Sequence, residues 1–421
     1  MDFEWSWLLL GLPLAFMLGW LASRLDWRQM RVLQRSSPRT YFQGLTYLLN
    51  EQQDKAIDVF VEAVQSDPET IELHFALGSL FRRRGEYHRA VRVHEHLLAR
   101  ADLSAADRAR AQWGLAQDYL KIGLFDFAEQ ALQPLIGTEL EPQAQTALLY
   151  VYERLRDWPQ ALALLERIDA QADAAPGADA ADRQPRMLGR QVHYWCEQAQ
   201  QAARARDYPQ ARALLQQAQA QASALAAADG AQQHVRPAME HIQLLQQQGQ
   251  HLQALQAGLE LARQQPEAMP LVASCVRELL PRVDAQQPAL QQLHALLRAH
   301  YQREPSLDVL LALVAIEQRL GWPQAAQWYV EHVRRRPSLV AAARWMQAQL
   351  DGPQAVAGQL GMAAQEGGDS AAAVQASLDK ALQPRLHYRC TQCGFETQHY
   401  FWQCPGCQSW ESFPPRRVEE L

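Results

Sequence analysis

Residues 83–90 read RRGEYHRA, and the same kind of turn returns along the chain: KIGLFDFA at 121–128, LRDWPQA at 155–161, ARDYPQA at 205–211, QQGQHLQA at 247–254 and RLGWPQA at 319–325. Each version joins two runs of helical apolar spacing and ends in alanine, where the second helix begins. A turn of one kind at recurring intervals means a stack of helix hairpins, and the alanine marks where two helices must approach closely.

The spacing around these turns sets the period. Gly44, Tyr47, Ala56, Phe60, Ala63 and Pro68 place a small residue and an aromatic on a first helix. A small residue, two apolar residues and a closing proline follow on the second. Adding 34 gives Gly78, Phe81 and Ala90, which is the tetratricopeptide period. Looser units follow at Ala116, Tyr119, Ala128 and Leu132; at Tyr152, Ala161 and Leu165; at Ala211 and Leu215; at Ala254, Leu261 and Pro266; and at Ala325, Tyr329 and Pro337. Roughly seven to nine repeats are expected over 26–350, with 267–305 helical in pattern but a poor fit. Residues 169–186, DAQADAAPGADAADRQPR, break the period and read as a loop insertion. The Gly- and Ala-rich run beginning at 351 reads as a linker and last helix reaching 384.

Composition supports this reading. The chain has 421 residues, 48% of them hydrophobic and only 8% aromatic, and Ala and Gln dominate its centre, which favours helix over a β-sandwich. A net charge of −6 argues against a generic nucleic-acid coat. Tyr47, Tyr119, Tyr152, Trp158 and Trp322 are read as packing residues, His74, His88, His94 and His96 as helix-surface histidines, and Cys196 and Cys275 as buried small hydrophobes.

At the amino end, residues 5–22 read WSWLLLGLPLAFMLGWLA without a charge. As a helix this run covers about 27 Å, close to a hydrocarbon core of about 30 Å. Trp5, Trp7 and Trp20 sit near its ends. A cleaved signal peptide would have a basic start and a small-residue cleavage site. Here Asp2 and Glu4 come first, and Arg24, Arg28, Arg31, Arg35 and Arg39 follow. The expectation is an uncleaved anchor over 1–25 with the bulk of the chain on the cytoplasmic side.

The other end reads YRCTQCGFETQHYFWQCPGCQSWESF from 388 to 413. Cys390 and Cys393 form one CxxC, Cys404 and Cys407 another. Two such knuckles present four thiolates tetrahedrally, a set suited to zinc or iron. A module of this size over 385–415 lacks the core to fold by burial alone, so one metal ion supplies most of its folding energy. Four cysteine ligands leave no open coordination position for catalysis. Gly394 and the Pro405–Gly406 pair are read as relieving the steric demands of the two knuckles. Aromatic residues are dense between Tyr388 and Phe413, and Trp402 and Trp410 exceed what so small a core needs. The tail is therefore expected to dock back onto the repeats; the bland alternative packs every ring around the knuckles.

The chain contains no GxxxxGK[ST], no GxGxxG after a strand, no HExxH and no GxSxG, so no catalytic residue is assigned and no enzyme is expected. The fold class read from these features is all-α: a tetratricopeptide superhelix with an N-terminal transmembrane helix and a small rubredoxin-type metal knuckle domain.

The order of anchor, repeats and RCTQCGF…FWQCPGCQSW resembles the lipopolysaccharide assembly protein B (LapB, or YciM) family, along the whole chain. The resemblance implies an inner-membrane adaptor that brings the deacetylase LpxC to the protease FtsH and coordinates lipopolysaccharide assembly proteins. It also implies a signalling partner, LapC, and iron as the metal, with zinc equally compatible chemically. It leaves the partner-binding residues unknown. Two alternatives stay open: a membrane-tethered rubredoxin-type electron carrier or other scaffold, and a nucleic-acid-binding zinc ribbon. The tail has only a slight basic excess (Arg385, Arg389, Arg416 and Arg417 against Glu396 and Glu411), so no nucleic-acid partner is expected.

Overall fold

The computed structural model describes residues 52–66, 70–174, 180–229, 234–322, 327–350 and 380–421, together with positions 17, 20, 43, 44, 46, 47 and 50. The expected anchor at 1–25 therefore lies outside the described residues, apart from Met17 and Trp20. Among the described residues, no helix is long and apolar enough to cross a membrane. Contacts divide the chain into two compact units at Gln171 and Ala172.

The first unit is built from α1 (Gln53–Ser66), α2 (Ile71–Arg84), α3 (Tyr87–Leu98), α4 (Ala105–Ile122), α5 (Phe125–Leu132) and α6 (Glu141–Leu155), and α7 (Trp158–Ala174) begins in it. The second holds α8 (Ala180–Arg204), α9 (Tyr208–Asp229), α10 (Arg236–Gln247), α11 (His251–Gln264), α12 (Met269–Leu279), α13 (Pro288–Arg303), α14 (Leu307–Arg319), α15 (Gln327–Arg335) and α16 (Leu339–Leu350). A two-stranded ribbon follows, β1 (Tyr388–Arg389) antiparallel to β2 (Glu396–Thr397) with Tyr388 opposite Thr397.

The recurring turn has one backbone design. In all six copies the amide just past the corner donates to a carbonyl five residues back: Glu86 to Phe81, Leu124 to Tyr119, Asp157 to Tyr152, Asp207 to Ala202, Gln250 to Leu245 and Trp322 to Glu317, at 2.8–3.0 Å. This is the helix-ending bond that needs a left-handed corner residue. Gly85, Gly123, Gly249 and Gly321 supply that corner, and Arg156 and Arg206 take it at φ 57° and 62°. Four residues after each corner amide comes the alanine of the motif. Ala90, Ala128, Ala161, Ala211 and Ala254 are all fully buried, which is why the motif ends in so small a side chain. In the sixth copy four residues on from Trp322 is Ala326, one past the quoted motif, and it lies with Ala325 outside the described residues.

The small residue on each first helix has a specific job. A Cβ on Gly44 would lie 2.7 Å from the Phe60 ring, and one on Gly78 would lie 2.7 Å from His94. Phe60 and His94 are 34 residues apart, so His94 fills in the second repeat the slot that Phe60 fills in the first.

The surface reading of His94 and His74 is thus corrected: both are buried, whereas His88 and His96 are exposed. Burial is tolerated because His94 Nδ1 lies 2.6 Å from Asp118 Oδ2, and Asp118 also pairs with Arg82. Trp322 is corrected the other way. It is exposed, edge-on to His294 at 4.9 Å. Tyr152 and Trp158 are buried, Tyr47 packs against the first core cluster, and Cys196 and Cys275 are buried as expected.

Two boundaries also change. Residues 169–174 belong to α7 and 180–186 to α8, so the expected loop insertion is largely helix, with only 175–179 outside the described residues. Its alanines, strong helix formers, outweigh the weak turn signals around Pro176 and Gly177. The linker, too, lies outside the described residues except at 380–384.

Candidate metal centre and the groove beside it

The two knuckles have the same backbone. Gly394 N–H donates to Cys390 O at 3.0 Å, and Gln408 N–H donates to Cys404 O at 2.9 Å. Cys390 N–H donates to Phe395 O and Cys404 N–H to Ser409 O, both at 2.9 Å. The fifth residue of each knuckle turns left-handed: Gly394 at φ 76° and Gln408 at φ 62°. The steric role assigned to Gly406 is therefore corrected, because the strained position of the second knuckle falls on Gln408.

These paired turns bring the four expected ligands together. Cys390, Cys393, Cys404 and Cys407 hold their Sγ atoms within 4.8 Å of one another. Cys390 Sγ lies 3.7 Å from Cys407 Sγ, and Cys393 Sγ lies 3.6 Å from Cys404 Sγ. A tetrahedral ion with M–S bonds of about 2.3 Å has S···S edges of about 3.8 Å, so the set fits a single metal. Burial pushes the Cys390 thiol up. The Ser412 hydroxyl and the backbone amides of Cys393 and Gln392 outweigh it and bring the thiol down to about 6. Cys407 is lowered by the Ser409 hydroxyl, 3.3 Å from its sulfur, whereas burial raises Cys404 to about 12. Cys390 and Cys407 are thus the more readily deprotonated of the four, and a cation would hold all four as thiolates. When bound, the ion would cross-link the two knuckles. Tyr388 and Phe413 are buried over the cluster with Tyr400 packed on them.

The ribbon is clamped to the second unit, as the surplus aromatics implied. The indole of Trp410 stacks on His193 of α8, with centroids 4.6 Å apart and planes 9° apart. Arg236, at the start of α10 and only 1% exposed, lies over Trp402 and Trp410 at 5.8 and 5.4 Å. Glu197 balances its charge at 2.6 Å, with Glu240 at 3.4 Å. His234 Nδ1 lies 2.9 Å from Glu411 Oε1, and His193 Nε2 lies 3.5 Å from the same oxygen. This trio has the outline of a second metal site. However, Arg236 Nη1 donates to His193 Nδ1 at 3.3 Å, so the His193 hydrogen sits on Nε2, facing Glu411. Burial holds His193 well below its ordinary value, with Arg236 adding to the effect. The trio is therefore a hydrogen-bonded staple between ribbon and repeats.

A second clamp closes on α14. Arg417 meets Asp308 in a two-pronged pair, Nε to Oδ2 at 2.8 Å and Nη2 to Oδ1 at 2.9 Å. Asp308 also accepts from the Tyr388 hydroxyl at 3.3 Å, and Arg417 Nη1 donates to the Gln398 carbonyl. The next two acidic residues cap helices. Glu420 accepts from Leu307 N–H at 2.6 Å, at the start of α14. Glu419 accepts from the amides of Leu339 and Val340 and from the Ser338 hydroxyl, at the start of α16. Arg416 pairs with Glu304. Residues 416–421 thus lie beyond the knuckle module and bind it to the repeats rather than to its own metal core. Ligand spacing gives no hint of them; the signal that could have found Asp308 is its place as the lone charge in LDVLLALVAI.

Ribbon and repeats together border a groove of about 1130 Å³. Its walls come from α10, α12, α14 and α16, the first helices of successive hairpins, from Tyr329 of α15, and from the ribbon at Tyr388, Tyr400 and Trp402.

Comparison with known proteins follows the same division. Residues 388–415 match the family described as rubredoxin metal binding domain, and residues 73–109 match the tetratricopeptide repeat. Along its length the chain is similar to lipopolysaccharide assembly protein B of Escherichia coli strain K12, at 28% identity over 97% of this chain and 98% of that protein. It is similar to the protein of the same name from Haemophilus influenzae at 25% identity, over 98% of each. A solved tetratricopeptide repeat protein from Parabacteroides merdae covers 67% of the chain at 11% identity, with a TM-score of 0.31. The chain is thus homologous, from repeats to metal ribbon, to proteins carrying that one name.

Proposed function

We propose that this chain is a non-catalytic scaffold of lipopolysaccharide assembly. In this reading residues 1–25 anchor it in the inner membrane with its bulk on the cytoplasmic side. It brings LpxC to FtsH for degradation, under control of LapC, and gathers other assembly proteins. The near full-length similarity to proteins named for lipopolysaccharide assembly supports the process. The observation that carries the scaffold reading is the clamped ribbon: Trp410, Arg236, Asp308 and Arg417 fix the metal domain so that it forms one wall of a groove lined by repeat helices. A fixed groove on a membrane-held body raises the local concentration of one partner near another without new chemistry.

The metal's part is structural. Cys390, Cys393, Cys404 and Cys407 would hold it, and the docked aromatics would keep the ribbon's orientation. The test is depletion in the native host followed by LpxC half-life, which should lengthen several-fold; an unchanged half-life refutes the adaptor reading. A reporter fused after residue 40 should read cytoplasmic, and a periplasmic signal overturns the topology. Cys393 and Cys407 are exposed, as an electron-transfer centre would also require. Reversible one-electron cycling with a partner reductase would favour that second reading.

A further inference from the structure

We propose that the groove beside the ribbon is a receptor for an extended, acidic polypeptide segment, gripped by Arg277 of α12 and Arg344 of α16. The proposal rests on the scaffold reading only in treating the groove as a partner-facing surface.

The charge balance of the groove is uneven. Arg277 is half-buried and, among the described residues, has neither a hydrogen-bond nor an ion-pair partner. Arg344, also half-buried, donates among the described residues only to the neutral side-chain oxygen of Gln347, at 2.8 Å. Both cations bear on one point: burial pushes the Tyr329 phenol up, and the charges of Arg344 and Arg277 oppose it. The third arginine of the wall, Arg417, is already engaged by Asp308. Among the described lining residues Glu278 is the sole carboxylate, and it is exposed. A partly desolvated guanidinium without a counter-charge is costly unless a ligand supplies one. Its forked donors match a carboxylate.

The rest of the lining selects polypeptide. Gln243 and Gln247 lie on α10 and Gln318 on α14, and each offers both a donor and an acceptor. Such amides pair with the N–H and C=O groups of an extended backbone, whereas arginine alone would take any anion. Leu271 and Val314 add apolar ground for the aliphatic side chains between the acidic ones.

The test uses the purified, metal-loaded full chain and three fluorescent ten-residue peptides: alternating Glu–Ala, Gln–Ala and Lys–Ala. The Glu peptide should bind at least about tenfold tighter than the Gln peptide, and the Lys peptide should not bind. Affinity should fall as salt rises. Arg277→Gln and Arg344→Gln should each weaken the Glu peptide about tenfold or more, the loss of one charge-assisted hydrogen bond. Arg263→Gln, outside the groove on α11, should leave it unchanged. Helical circular dichroism confirms that each variant is folded. No binding of the Glu peptide at millimolar concentration, equal binding of the Glu and Gln peptides, or full affinity in the Arg277→Gln/Arg344→Gln double variant overturns the proposal. So does inorganic polyphosphate binding where the Glu peptide does not. Peptide binding by a chain whose depletion leaves LpxC turnover unchanged sinks the adaptor reading and keeps the receptor; the converse pattern sinks the receptor alone.

Discussion

Replacing Asp308 with alanine leaves the Arg417 guanidinium buried and uncompensated. Asp308 is 1% exposed and accepts both prongs of Arg417 as well as the Tyr388 hydroxyl. Removing one partner of such a buried pair costs about 3–5 kcal/mol. The cost falls on docking, because the metal core of the ribbon does not use Asp308. At about 1.4 kcal/mol per decade, the ribbon should open from the repeats roughly 10²- to 4 × 10³-fold more often. Hydrogen exchange of three amides reports this directly. Leu307 N–H is bonded by Glu420, and Leu339 and Val340 N–H by Glu419, so their protection comes from the docked tail. Thr391 N–H, bonded to Ser412 O inside the ribbon, serves as the internal control. In metal-loaded Asp308→Ala the three amides should exchange at least about a hundredfold faster and Thr391 should not. If the three change by less than about tenfold, the pair does not hold the tail. The double variant Asp308→Leu/Arg417→Met should recover most of the protection, since apolar replacement of both partners removes the stranded charge.

Gly78→Ala puts a methyl group 2.7 Å from the His94 ring and should cost about 1–3 kcal/mol of stability in thermal or urea melts; an unchanged midpoint means that the imidazole has room to yield. His332 is held down to about 4 by burial, with Arg336 contributing, and its Nδ1 lies 2.7 Å from the Tyr301 hydroxyl. Its folded value lies below its unfolded one, so the unfolded chain takes up the extra proton. The stability it contributes is complete above about pH 6.5 and is lost as pH falls towards 4, by about 2–3 kcal/mol. Urea melts across that window should show the slope, and His332→Gln should flatten it; equal slopes in both proteins refute the assignment.

How much of this was legible depends on the sequence distance of each interaction. The repeat fold was written locally, in corner residues and in alanines that five turns bury completely. The metal ligands were legible for the same reason: each CxxC is a self-contained turn. His94 was legible in principle, because adding 34 to Phe60 reaches it, yet its polarity suggested the surface. The docking contacts were not legible individually. Glu411 meets His234 across 177 positions and Arg417 meets Asp308 across 109, separations that no period announces. What did signal them was a mismatch, more indoles than a thirty-residue core consumes; the one aspartate in an apolar helix was a second signal that went unread. The run 169–186 misled because its small, acidic composition suits loops, while its alanines suit helix equally well.

The ribbon also changes how the second unit is held together. In a repeat stack each hairpin contacts only its neighbours, so stability is nearly one-dimensional and a loss at one end stays there. The tail breaks that rule. It touches α8 at His193, α10 at Arg236, α14 at Asp308 and Leu307, and α16 at Val340, so helices many positions apart share one partner. The partner would be folded by an ion on its four cysteines, whose binding in small domains is worth about 10–16 kcal/mol. Stripping the metal, or Cys390→Ser, should therefore do more than unfold residues 385–421. Protection should fall at Leu307, Leu339 and Val340 and in the amides of α8 and α10, while most of the helical circular dichroism survives because neighbour contacts remain. The groove should lose its ribbon wall at the same time, so partner binding falls even for a partner that touches only repeat residues. Unchanged exchange throughout α8, α10 and the starts of α14 and α16 after metal removal would show that the ribbon rides on the repeats without bracing them.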